Sequence, residues 1–295
     1  MRFSKTNTAE FSVIGDLMML FKFRLTITVV FSAVLAYWIA LDTFVFDLGQ
    51  ILVLFLGGFF ITAAANTFNQ ILEKDFDKLM KRTENRPIAA GRLSTTQAIL
   101  IAGTASVIGL SLLANFNLLT AVFGFLSLIM YAFIYTPLKR ISSVAIPVGA
   151  IPGAMPVLIG CVAAQGSITD IAIVLFSIQF FWQFPHFWAI GWLGFEDYKK
   201  AGFNFIPERN GERDSNLGTY SMFYAFMLFP MIVILYLIGY AGIISLVGMT
   251  VLTFGYAVMG YYLHKDDDRK SALKLMFFSF IYLPLCLLLL LADKF

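Results

Sequence analysis

Three oxygen-bearing side chains recur at intervals of four: Asn69, Glu73 and Asp77. On a helix, residues four apart share a face and rise about 6 Å per step, so the three would form a ladder. Carboxylate and amide oxygens suit a hard cation such as Mg²⁺, which usually shares a few protein carboxylates with substrate phosphates. Asp75 points roughly 200° away from Glu73 on a helical wheel and stands outside the ladder. Four bases follow, Lys81, Arg82, Arg86 and Arg92. An acidic ladder opposed by bases would meet a metal diphosphate from both sides. The plain alternative is a solvated helix end carrying polar residues at i, i+4. The cost of carboxylates at a membrane mouth favours a functional reading.

The elements that must position this ladder are membrane spans. Of 295 residues, 59% are hydrophobic and 13% charged. A soluble domain carries about a quarter charged residues, and a soluble chain this apolar would expose large adhesive patches. The expected fold class is all-α, a polytopic transmembrane helical bundle. A span needs roughly 20 mainly apolar residues, which gives about nine candidates. They are Thr26–Ala40 (beginning near Phe21), Gln50–Leu72, Thr96–Ala114, Leu118–Tyr135, Val144–Ala164, Ile171–Phe195, Tyr220–Tyr240, Ile243–His264 and Ala272–Ala292. The fifth contains Pro147, Pro152 and Pro156, so it should kink and rely on neighbours to satisfy freed backbone groups. One integral-membrane domain over residues 1–295 is expected, with residues 1–20 a short cytoplasmic segment that lacks a signal-peptide pattern. Cys161 and Cys286 lie in apolar runs and read as small buried hydrophobes.

Charge follows the same alternation. Of the 21 Lys and Arg residues, 20 lie in alternate connections, and Lys294 is the exception. The positive-inside rule then puts the N-terminus and the charged loops in the cytoplasm and the C-terminus outside. A bacterial inner membrane is the expected location, with the bilayer as a partner and no nucleic acid.

The ladder, followed by Lys81-Arg82-Thr83-Glu84-Asn85-Arg86-Pro87 and Gly91, resembles the first aspartate-rich motif of the UbiA-type intramembrane prenyltransferases. Two further stretches resemble the haem O synthase branch of that family. One is Tyr135-Thr136-Pro137-Leu138-Lys139-Arg140. The other is Trp182-Gln183-Phe184-Pro185-His186-Phe187-Trp188 with Glu196-Asp197-Tyr198-Lys199-Lys200-Ala201-Gly202. The resemblance covers nearly the whole chain, nine-span layout included.

The resemblance implies a UbiA-type fold, farnesyl diphosphate and haem B as substrates, and haem O as product. It implies Mg²⁺ at Asn69, Glu73 and Asp77, with Asp197 as a second metal contact. Arg86, Lys139 and Arg140, with Tyr135, would hold the diphosphate. His186 is a haem-contact residue, by iron ligation or proton handling, against a hydrogen-bonded structural role. Haem A synthase or a terminal-oxidase assembly factor is the class of partner implied. Two departures stand out. Glu73 occupies a position where many family members have Asp, and Ala201 stands where quinone-pathway members carry a second acid. Asp214 has no place in the pattern, and His264 reads as interfacial. A prenyltransferase acting on a quinone-ring precursor is the alternative, and a transporter of an anionic lipid or metabolite is a remote one. A transporter would want its site near the bilayer midplane, whereas here acids and bases cluster at one face.

Overall fold

The computed structural model describes residues 12–41 and 47–294. Arg2 and Lys5, two of the 20 alternating bases, and Asp42, in the base-free connection after the first span, lie outside the described residues. The chain is almost entirely helical: α1 Val13–Leu20, α2 Phe23–Ala40, α3 Leu48–Asp77, α4 Thr95–Ala114, α5 Leu118–Ile129, a π-helical turn Met130–Tyr135, α6 Thr136–Leu138, α7 Ala145–Gln165, α8 Asp170–Lys200, α9 Leu217–Phe226, α10 Leu228–Leu237, α11 Ile243–Asp266 and α12 Arg269–Lys294. A two-residue hairpin, β1 Glu208–Arg209 and β2 Glu212–Arg213, follows α8. Among the described residues nine segments are long and apolar enough to cross a membrane, with α5–α6 and α9–α10 each counting as one. The protein is a multi-pass membrane protein.

Three local features depart from the expected layout, each for a physical reason. The segment before the first span contains a helix, α1, capped by Ser12. Glutamine and asparagine side chains of α3 hold it down: Gln70 Nε2 donates to the Met19 and Leu20 carbonyls (3.0 and 2.9 Å), and Asn66 Nδ2 to that of Phe21 (3.3 Å). The fourth span widens into a π turn at Met130–Tyr135 before Pro137. There Thr136 gives both its N–H and its hydroxyl to the Tyr131 carbonyl. Such π turns mark functional sites often enough to direct attention there. The seventh span breaks at Met227, because Pro230 has no N–H to return to the Phe226 carbonyl.

The proline-rich fifth span stays helical through Pro152 and Pro156 because neighbours satisfy its carbonyls. Gln179 Nε2 donates to Gly153 O (2.9 Å), Gln183 Nε2 to Ala150 O (3.0 Å) and Ser127 Oγ to Pro152 O (3.3 Å). These bonds tie α5, α7 and α8 together in a medium that offers no water. Gly160 lets α7 press against α2, since a Cβ there would collide with the Ala33 carbonyl oxygen. Close packing through small residues is how helices associate in lipid. Alternating helices bring the start of α2 and the ends of α3, α6 and α8 to one end of the bundle, where the described charged connections meet.

Candidate active site

The ladder forms as spaced. The helix α3 runs on to Asp77, so Asn69, Glu73 and Asp77 occupy its last turns, all buried. Asp75 points out and pairs with Lys78 at 2.9 Å. The ladder faces a cavity of about 180 Å³, whose wall includes Lys22, Arg82, Arg86, Tyr131, Tyr135, Lys139 and Tyr198.

Each ladder residue is matched to one base. Arg86 Nη1 donates to both Asp77 carboxylate oxygens at 2.7 Å. Lys139 Nζ lies 2.5 Å from Glu73 Oε1. Lys22 Nζ donates to Asn69 Oδ1 at 3.0 Å, while Asn69 Nδ2 donates to Thr136 Oγ1 at 3.1 Å. Three elements deliver these bases. Arg86 sits in the turn-rich connection after α3, which Thr83 anchors by donating to the Asp77 carbonyl (2.9 Å). Lys139 caps α6, directly after the π turn, and lies over the rings of Tyr135 (4.9 Å) and Phe203 (5.6 Å). Lys22 occupies the left-handed turn between α1 and α2, at φ 47°. Loss of water, with Arg86 and Lys139 close by, holds the Lys22 ammonium down to about 7.

Four basic groups therefore line a cavity that holds two carboxylates. The surplus of positive charge, poorly hydrated, favours an anion with several oxygens. Mg²⁺ fits the donor set. All three ladder donors are oxygens, the ligand type that Mg²⁺ takes beside phosphate and water.

A strap borders the cavity. After α8 the chain doubles back, and Phe203 and Phe205 line the wall. Asn204 N–H donates to Lys139 O (2.9 Å), and Asn204 Nδ2 to Arg140 O (3.3 Å). Farther along, Arg213 lies over Trp192 (4.0 Å) and pairs with Asp267 (3.1 Å), which also accepts from Trp192 Nε1 (2.7 Å). This cluster fastens the strap to the α11–α12 turn.

The structure brings Asn69, Glu73, Asp77, Arg86, Lys139 and Tyr135 to one lining. Arg140, Asp197 and His186 stand outside it. The Arg140 guanidinium covers the Phe76 ring at 4.6 Å. Asp197 lies on the last turn of α8 and is half-buried. His186 points toward α12, with Nδ1 2.7 Å from Ser279 Oγ. Asp214 proves to be a loop anchor, accepting from Asn216 and from the Tyr220 hydroxyl. Arg92 pairs with Asp16 of α1 (2.9 Å), and His264 contacts Thr219 (3.0 Å). Sequence reasoning missed Lys22, Tyr131, Tyr198, Phe203 and Phe205. In the sequence Lys22 is one of the 20 alternating bases, and a lone lysine at a helix mouth has no spacing signal.

Comparison with known proteins identifies the family. Residues 29–281 match the UbiA prenyltransferase family. A protoheme IX farnesyltransferase of Christiangramia forsetii is 40% identical over 99% of this chain and 97% of its own length. One from Cytophaga hutchinsonii is 43% identical over 92% of this chain and 95% of its own. A UbiA homologue from Archaeoglobus fulgidus, solved bound to GPP and Mg²⁺, superposes with a TM-score of 0.68 at 13% identity, covering 93% of this chain and 99% of that one. A structure described for digeranylgeranylglyceryl phosphate synthase superposes with a TM-score of 0.79 at 17% identity, over 95% of this chain and 98% of that one. These two likenesses carry the fold, and the curated relatives carry the branch. The chain is a prenyltransferase and belongs to the UbiA prenyltransferase family, on its protoheme IX farnesyltransferase branch.

Proposed function

We propose that the chain transfers the farnesyl group of farnesyl diphosphate to a vinyl group of protohaem IX, haem B, and so makes haem O. The observation that carries this is the cationic cavity, in which Asn69, Glu73 and Asp77 each engage one base that a diphosphate could take over. The names of the curated relatives support the choice of donor and acceptor.

When the diphosphate enters, Arg86, Lys139 and Lys22 turn from the ladder to its oxygens. Guanidinium binds phosphate through paired N–H donors, and the lysines act as point charges. Asn69, Glu73 and Asp77 would hold Mg²⁺, which would supply Lewis-acid stabilisation of the leaving group. The bond from C1 to oxygen breaks, and its electron pair leaves with diphosphate. Tyr131, Tyr135 and Phe203 border the cavity where the allylic cation forms, and aromatic rings stabilise cations. The terminal vinyl carbon attacks C1. Charge passes to the carbon beside the porphyrin, water adds there, and one proton is released. Until that step the Phe203–Phe205 strap keeps bulk water from the cation. The ladder would hold one metal, since Asp197, the expected second metal contact, stands off the lining. The charged end faces the cytoplasm of a bacterial inner membrane in this reading, and the C-terminus lies outside.

The test is an assay in membranes expressing the chain, supplied with haem B, farnesyl diphosphate and Mg²⁺ and read by mass spectrometry of the porphyrins. A species of haem O mass, lost on adding EDTA and restored by Mg²⁺, is expected. Farnesyl transfer to a quinone precursor offered in parallel, with haem B untouched, would keep the prenyl chemistry and discard the acceptor.

A further inference from the structure

We propose that a groove between α11 and α12, at the charged end of the bundle, holds one anionic phospholipid, with its phosphate on Arg269, Lys270 and Lys274 and an acyl chain along Phe277 and Ile281. Such a site is independent of which acceptor the enzyme uses.

The sequence of α12 supplies a stripe. Lys270, Lys274, Phe277 and Ile281 are spaced by four, three and four, so they share one helix face. From Lys270 to Ile281 that face descends about 16 Å. Half of a hydrocarbon core of roughly 30 Å is nearly that length, so the stripe covers one leaflet from headgroups to midplane. Lysines come first and apolar side chains after, the order of a phospholipid's own phosphate and chains. All four are exposed, Phe277 at 57% and Ile281 at 59%. An exposed apolar face is ordinary in lipid, but this one is not flat. A groove of about 810 Å³ runs along it, and α11 contributes Met259 to the lining. Gly255 of α11 makes room for the Phe278 ring, since a Cβ there would lie 2.9 Å from it. That ring stacks on Tyr256 (5.9 Å, 17°) and also lines the groove.

Charge decides the class of lipid. Three bases line the groove and no acid does. The α11–α12 turn carries Asp266, Asp267 and Asp268, and each is engaged elsewhere. Asp267 pairs with Arg213 (3.1 Å), Asp268 accepts from the Ser271 N–H (2.7 Å), and Asp266 from the Ser271 hydroxyl (3.3 Å). The field of Lys270 and Lys274 reaches Asp268. Even so, among the described residues no carboxylate lies within ion-pair distance of Arg269, Lys270 or Lys274. Lys274 instead lies over the Tyr262 ring at 5.3 Å, and tyrosines favour headgroup level. A second copy of the chain is a poor occupant, because a two-fold pairing of this face would set lysines against lysines. Basic pockets between spanning helices take anionic headgroups.

The experiment titrates the purified full chain in detergent with dioleoylphosphatidylglycerol and, separately, with dioleoylphosphatidylcholine, and counts bound lipid by native mass spectrometry. Each base near a membrane surface contributes about 5-fold, so the wild type should bind one phosphatidylglycerol about 10-fold or more tightly than phosphatidylcholine. Arg269→Gln combined with Lys270→Gln and Lys274→Gln should erase that preference and leave phosphatidylcholine binding unchanged. Arg24→Gln combined with Lys74→Gln and Lys200→Gln removes equal charge from the same end and should leave the preference intact. Inorganic phosphate in excess should not displace the lipid. Where the first triple variant is lost on extraction, Lys274→Gln alone decides, with an expected loss of about 5-fold in preference. Equal binding of the two lipids by the wild type overturns the site. So does a preference that survives in the first triple variant, or one that disappears in the second, which would mark a diffuse field of the whole charged end. Displacement by inorganic phosphate would leave a simple anion site and overturn the lipid.

Discussion

Replacing Arg86 with Gln separates what the Asp77–Arg86 pair does for the fold from what it does for chemistry. The pair is short, 2.7 Å, with the Asp77 side chain 1% and the Arg86 side chain 17% exposed. At an effective dielectric of about 20, charges at that distance attract by about 6 kcal/mol, against which stands the cost of removing both from water. Breaking a buried pair from one side costs about 3–5 kcal/mol, because the remaining charge is stranded. Arg86→Gln should therefore lower thermal stability markedly in detergent. Arg86→Gln with Asp77→Asn leaves no stranded charge and should recover most of that loss. Activity should not follow. Loss of one preorganised donor to a developing anion costs about 10²–10³ in rate, so the single variant should transfer farnesyl at that reduced level. The double variant has also lost a ladder carboxylate and should stay inactive despite its regained stability. Thermal unfolding followed by tryptophan emission, beside the haem O assay, reads both quantities. A double variant as unstable as the single one would refute the stranded-charge account. Near-normal turnover by Arg86→Gln would refute the diphosphate role.

Asp77→Ala is expected to abolish transfer while membrane insertion persists, and Glu73→Asp to retain part of it, checked by turnover and by yield of extracted protein. Arg213→Ala should loosen the strap where it meets Trp192 and Asp267. The measurable consequence is a higher ratio of diphosphate released to haem O formed, and an unchanged ratio would show that the strap does not guard the cation from water. Asp268 caps α12 by accepting from the Ser271 N–H (2.7 Å), and that bond, with help from the Ser271 hydroxyl, holds its carboxyl below the usual aspartate range. A depressed carboxylate adds stability that is complete above its unfolded pKa and fades as pH falls through the lower folded value. Acid unfolding of Asp268→Asn should therefore show a weaker pH dependence than wild type across that acidic window, and superimposable profiles would count against the cap.

Much of the architecture was legible because lipid makes severe demands on composition. A span cannot be hidden in a sequence that is 59% hydrophobic, and the alternation of charged connections left little freedom in their number. The ladder was legible because helical spacing converts directly into a shared face. Its partners were not. Lys22 reaches Asn69 only because Gln70 and Asn66 pin the α1–α2 turn against α3. Phe203 and Phe205 reach the cavity only because the chain reverses after α8 and Asn204 ties it to Lys139 and Arg140.

The order of residues alone determined that this chain lives in a bilayer, how often it crosses, and where carboxylates and bases meet at one end. Those properties depend on composition and on the 3.6-residue period, which are local. Only the tertiary structure decided that each ladder residue faces its own base, that Arg140 and Asp197 stand aside, and that His186 meets Ser279 of α12. Such pairings join residues distant in the chain, Lys22 with Asn69 and His186 with Ser279, and depend on how helices pack. Helical period sets which residues share a face, and packing sets what that face meets.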